Sequence, residues 1–206
     1  ITENNFNFRD ISFDTHDINF SSKKLNIKRD KKNYLLEGDI RNKYSTLNDQ
    51  LVHIIILRYP QLDLINTNFE SDSDFSFNIN NKFKVKNLAI NSSILIDSSQ
   101  FKKNNLINKK FIEINDLIDL KDHEIKASYA NKKLIIEGKG KVKIQNKFEL
   151  INYEIINNGS DLNLVSNIEL SELDIKNQNL IKEYLPKTKD ILNLKDHKIR
   201  ASYANK

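Results

Sequence analysis

An alternation of apolar and polar residues with a period of two runs along most of this chain, and it restricts the fold more than any other feature. Successive side chains of a β-strand point to opposite faces, so such alternation writes strands with one apolar side. Leu25 and Ile27 alternate with Lys24, Asn26 and Lys28, and Tyr34, Leu36, Gly38 and Ile40 share the next face. Phe75, Phe77 and Ile79 alternate with Ser76 and Asn78, then Phe83 and Val85 with Lys84 and Lys86. Ile136, Gly138, Gly140, Val142 and Ile144 stand against Glu137, Lys139, Lys141 and Lys143. Ile151, Tyr153 and Ile155 follow, then Leu162, Leu164, Ser166, Ile168 and Leu170. Polar junctions such as Asp30–Asn33 and Asn157–Asp161 have the composition of hairpin turns. The pattern predicts a mainly β chain, an antiparallel meander of about a dozen strands with one greasy face. It also predicts one specific pairing. Asn131–Ile144 and Lys147–Ile156 should lie antiparallel across a tight turn near Asn146, with their apolar residues on the same side.

Two segments break the alternation. Leu180, Ile181, Tyr184 and Leu185 fall on one helical face before Pro186, which predicts a short helix over Asn177–Leu185. Leu47, Leu51, Ile54, Ile55 and Arg58 repeat that spacing before Pro60 and predict a second helix over Ser45–Tyr59, with a buried strand as the competing reading of Leu51–Leu57.

An internal repeat adds the second constraint. Leu120–Lys132 returns as Leu194–Lys206, with 11 of 13 positions identical. Extended back to Lys102 and Lys176 without gaps, the copies match at 16 of 31 positions. Lys32-Asn33-Tyr34-Leu35-Leu36-Glu37-Gly38 is a fainter copy of Lys132-Lys133-Leu134-Ile135-Ile136-Glu137-Gly138. The units read as roughly residues 24–101, 102–175 and a truncated 176–206. A chain that starts at Ile1 and stops inside a repeat reads as a processed chain or a fragment of a longer array.

The residues offer little chemistry. The absence of Cys excludes disulfide scaffolds, thiolate metal sites and cysteine nucleophiles. No glycine-rich phosphate loop, nucleophile elbow or His-Glu-x-x-His motif occurs. His123 and His197 each follow Asp in the repeated Lys-Asp-His, but one such pair per repeat supplies too few metal ligands. The reading preferred for them is a solvent-exposed position just before a strand; His53, inside an apolar run, reads as core. The glycines after Glu37 and Glu137 read as points where a strand bends. The net charge of +5 comes with many Asn, Ile and Lys, all encoded by AT-rich codons, and so records genome composition. Lys139, Lys141 and Lys143 form a basic stripe without stacking rings on the same face, which argues against nucleic acid. No stretch approaches the roughly 18 uncharged apolar residues that a membrane-crossing helix needs.

What remains is an apolar sheet face that must be covered or filled. Repetition in series favours an elongated, curved antiparallel β-sheet groove, and a trough lined by Ile, Leu, Phe and Val suits acyl chains. Its candidate lining is Leu36, Ile40, Phe75, Phe77, Ile79, Ile136, Val142, Ile144, Ile151, Tyr153, Ile155, Leu162, Leu164 and Ile168. The Lys-Asp-His-x-Ile repeat, the strand Leu134–Gly140, the segment Asp74–Asn80 and the helix end Leu180–Pro186 together resemble the AsmA-like superfamily, in particular its YhdP-type bridge-like lipid-transfer proteins. The resemblance covers about Leu25 to Lys206. It implies a periplasmic segment anchored to the inner membrane by a part outside this chain, carrying phospholipid towards the outer membrane. It implies no catalytic residues and no cofactor. The alternative is a structural or adhesive cell-surface β-repeat with a closed core and no ligand.

Overall fold

The computed structural model describes residues 5–15, 17–30, 32–47, 64–102, 117–176 and 191–205. These form ten strands: β1 (Asn5–Thr15), β2 (Ile18–Asp30), β3 (Asn33–Thr46), β4 (Leu64–Asn80), β5 (Val85–Lys102), β6 (Leu117–Ala130), β7 (Lys133–Ile144), β8 (Lys147–Asn157), β9 (Leu162–Lys176) and β10 (Ile191–Asn205). They make one open, curved antiparallel sheet in which every strand pairs with its neighbours in sequence. Among the described residues there is no helix and no second sheet. Such an order needs only short reversals wherever a turn signal is present. Gln145 and Asn146 join β7 to β8, and residues 158–161 join β8 to β9. The predicted pairing is found, with Ile136 opposite Ile155 and Gly138 opposite Tyr153.

Three expectations need correction. Ser45 and Thr46 belong to β3, Leu47 follows it with its N–H donating to the Thr67 carbonyl at 2.7 Å, and residues 48–59 and 177–185 of the predicted helices lie outside the described residues, as does His53. Phe83 is a turn residue with φ of 55° and is exposed, so alternation resumes only at Val85. The Lys-Asp-His repeats lie inside β6 and β10 instead of ahead of a strand.

The β6 copy forms a β-bulge against β7, where the register breaks between Lys121 and Glu124, and both copies share a left-handed Asp. Asp122 and Asp196 have φ of 52° and 53°, and Asp10 in β1 has the same value as Asp122. Asp and Asn enter this left-handed region more readily than other side chains, which is why the repeat needs one there. A bulge adds a residue, bends the strand and increases twist. Register breaks recur on β2, between Ser21 and Leu25, on β3, between Asn42 and Ser45, and on β4, between Ile65 and Phe69.

A bulge leaves backbone groups without ladder partners, and buried polar side chains take them up. The Asp39 carboxylate accepts from Lys23 N at 3.1 Å and Lys24 N at 2.9 Å. Asn42 Nδ2 donates to Lys43 O at 2.9 Å, and Glu149 accepts from Ser171 N at 2.9 Å. Thr67 and Ser99 share a hydroxyl hydrogen bond of 2.6 Å. All of these side chains are buried, as is His123.

Candidate functional site

Register carries the apolar alternation from strand to strand. One row runs Phe8, Leu25, Gly38, Phe75, Ile90, Tyr129, Leu134, Asn157, Leu162 and Asn205, crossing all ten strands. The next runs Ser92, Ala127, Ile136, Ile155, Leu164 and Tyr203 over β5–β10. Beside it lie Ile94, Ile125, Gly138, Tyr153, Ser166 and Ala201. At the usual spacing of neighbouring strands the face is about 45 Å wide.

All fourteen residues expected to line a groove fall on this face, in two groups. Leu36, Ile40, Phe75, Phe77 and Ile79 lie on β3 and β4. Ile136, Val142, Ile144, Ile151, Tyr153, Ile155, Leu162, Leu164 and Ile168 lie on β7–β9. Sequence reading missed the bridge between them, Ile90, Ile94 and Ile96 on β5 with Ile125 and Tyr129 on β6. Ser92 and Ala127 dilute the alternation there, and the β6 bulge resets its phase. Most of these residues are half-buried; Val142, Leu170, Leu173 and Ile18 are buried.

Glycines on this face make room for rings. Gly38 lies opposite Phe75 and Gly138 opposite Tyr153, and a Cβ on Gly138 would run into the Tyr153 ring. A Cβ on Gly140 would meet the His123 ring in the same way. The glycines expected to bend strands are thus covered by aromatic side chains, which keep the face apolar where no side chain exists. Phe75 and Phe77 stack at 5.8 Å, and Phe13 and Phe20 at 5.3 Å.

His123 also departs from expectation, being only 3% exposed, whereas His197 is exposed. Its Nε2 lies 3.0 Å from the Lys141 carbonyl oxygen. A carbonyl can only accept, so Nε2 carries the proton. Nδ1 then accepts from the Tyr153 hydroxyl at 3.3 Å. Burial holds the imidazole below its ordinary pKa and pushes the Tyr153 phenol up to about 12. The neutral imidazole therefore belongs to the fold. Among the described residues no cluster of three His, Cys, Asp or Glu groups is arranged to hold a metal.

The opposite face carries most of the charge and is laced with ion pairs, with Leu95, Phe148 and Leu150 exposed among them. Lys139 meets Glu124 at 2.8 Å, Lys141 meets Asp122 at 2.8 Å, and Lys143 meets Asp119 at 3.2 Å. Beside the β7–β8 turn, Lys147 reaches Glu172 at 2.7 Å; with help from Asn193 and Lys195 it draws that carboxyl down to about 2. Two shallow open depressions of about 510 and 590 Å³ lie over the sheet, the first bordered by Ile94, Leu95, Ile125 and Tyr153 together with Glu124 and Lys139, the second by Arg41, Asp72, Asp74, Lys126 and Glu137. On the apolar side the buried Glu149 carboxylate is engaged by the Ser171 backbone N–H and hydroxyl. The rows on that side thus offer hydrocarbon and rings to a ligand, and this carboxylate is not free to orient or transform one. Comparison with models of known families, with curated proteins and with solved structures finds no match for this chain.

Proposed function

We propose that this chain is a segment of a periplasmic bridge-like lipid-transfer protein, whose apolar sheet face serves as a groove for the acyl chains of phospholipids moving between inner and outer membranes. The row of mainly apolar residues that crosses all ten strands carries this reading. Each CH₂ withdrawn from water contributes about 0.8 kcal/mol, so tails are held without any polar anchor. The same lack of directional contacts lets a tail move from row to row at little cost, which transport along a bridge requires. The resemblance to the AsmA-like superfamily points the same way, and catalysis has no part in it. The competing reading, a closed structural repeat, draws on Ile18, Leu170 and Leu173, which are sealed from solvent at 0%, 2% and 1% exposure.

Ile135 and Ile136 provide the test. They are neighbours of identical chemistry on opposite faces, both half-buried. Asp at position 136 places an unpaired charge among hydrocarbon, whereas Asp at 135 joins an already charged surface. Phospholipid co-purifying with the protein, quantified by mass spectrometry, should fall for Ile136→Asp and persist for Ile135→Asp, with circular dichroism confirming folded sheet in both. Should Ile136→Asp fail to fold, Ile136→Ser takes its place. Equal lipid in the two variants, or none in the parent, supports the closed repeat.

A further inference from the structure

The edge strand β10 repeats β6 in sequence, yet among the described residues only β6 has a strand on its second side. β6 pairs with β5 and with β7, whereas β10 pairs with β9 alone among the described residues. Leu194–Asn205 reproduces Leu120–Asn131 at all but two positions, and the left-handed backbone of the Asp is reproduced too, with Asp196 at φ 53° and Asp122 at 52°. In β6 the bulge aims His123 over Gly140 and onto the Lys141 carbonyl, both supplied by β7. In β10 the equivalent His197 stands exposed and turns its Nδ1 back to the Lys195 carbonyl of its own strand. The same side chain thus has its receiving strand in one place and lacks it, among the described residues, in the other.

We infer that the free edge of β10 is a docking edge for one further antiparallel strand of the β7 type, and the two differing positions specify its charges. Glu124 in β6 faces Lys139 and pairs with it at 2.8 Å; its counterpart in β10 is Lys198, whose ammonium also reaches Glu169 of β9 at 2.7 Å. Lys126 faces Glu137, and its counterpart is Arg200. The strand that fits β10 therefore keeps the acid of Glu137 and replaces Lys139 by a second acid, since like charges directly opposite are disfavoured. Glycine is required at the position after that second acid, to lie under His197. The chain itself contains part of this variation. In β3, Glu37-Gly38-Asp39 stands where β7 has Glu137-Gly138-Lys139, and there the second acid, Asp39, accepts from the backbone N–H groups of Lys23 and Lys24 on β2. The occupant is thus a strand reading Leu-Ile-Ile-acid-Gly-acid-Gly, recognised by ladder hydrogen bonds along its length and by His197 at its second glycine.

A labelled peptide with the sequence of Lys133–Ile144 carrying Lys139→Glu, titrated into the whole chain, tests this. Fluorescence anisotropy should report binding about fivefold tighter than for the unaltered peptide, as expected for relieving one cross-strand repulsion. A further Gly140→Val change should weaken binding by at least about tenfold, because its side chain has no room beneath His197. Hydrogen exchange should slow in Ile191–Asn205 and leave Asn5–Thr15 of the other edge strand unchanged. Equal affinity of the valine peptide, protection of β1 instead of β10, or no binding overturns the inference. Self-association of the protein through β10 that excludes the peptide makes a second copy the occupant and overturns it equally.

Discussion

His123 and His197 occupy equivalent positions of a nearly identical repeat, and the structure gives them unequal weight in stability. Replacing His123 with Ala removes the ring covering Gly140 and leaves the Lys141 carbonyl and the Tyr153 hydroxyl without this partner. Each such loss in a buried setting costs about 1 kcal/mol or more, and the vacated ring volume adds to it, so the total should be about 2–4 kcal/mol. His197→Ala removes a ring in solvent and should cost no more than about 0.5 kcal/mol. Urea unfolding followed by circular dichroism measures both. The contribution is also pH-dependent. An unfolded imidazole titrates near pH 6.5, whereas burial holds that of His123 lower in the folded state. Between the two values the unfolded chain binds more protons. The stabilisation is therefore complete above about pH 6.5 and is lost as pH falls towards the folded-state value. His123→Ala should flatten this acid loss, and His197→Ala should leave it intact. Equal costs for the two substitutions, or an unchanged acid profile in His123→Ala, would refute the buried, neutral imidazole.

Other consequences are as direct. Gly138→Ala should destabilise by about 1–3 kcal/mol through overpacking against Tyr153. A double variant with Tyr153→Ala should recover part of that loss in the same urea measurement. Asp122→Val should cost more than Asp122→Gly, because a β-branched residue is strained at the positive φ of this bulge whereas glycine is not. Comparable costs would mean that the lost Lys141 ion pair dominates. Lipid co-purification with Ile136→Asp and Ile135→Asp should differ as described above, the former variant losing phospholipid and the latter keeping it.

The alternation of Leu36 with Glu37, or of Val142 with Lys143, determined the strands and the face each presents, because a pleated backbone sends successive side chains to opposite sides. Turn composition at 145–146 and 158–161 determined sequential antiparallel pairing, since so few polar residues between two strands allow little besides a hairpin. The fourteen expected lining residues fell on one face for the same reason. Asp122 and Asp196, by contrast, read as positions before a strand, because one residue added within a run looks from sequence like the end of one alternation and the start of another. Only cross-strand register distinguishes a bulge from a turn, and register depends on residues far away in the chain. The glycines carried the same ambiguity. Gly138 alone could be a bend, and Tyr153, on the next strand and directly opposite, makes it a ring site. His123 and His197 mark the limit of local sequence. Their surroundings within the strand are almost the same, but a neighbour contributed by another strand buries one and leaves the other in water. Sequence thus determined which side of each strand is apolar, through a property of single residues and their spacing. Tertiary structure decided which polar groups that side buries, because burial belongs to the pair of strands that meet.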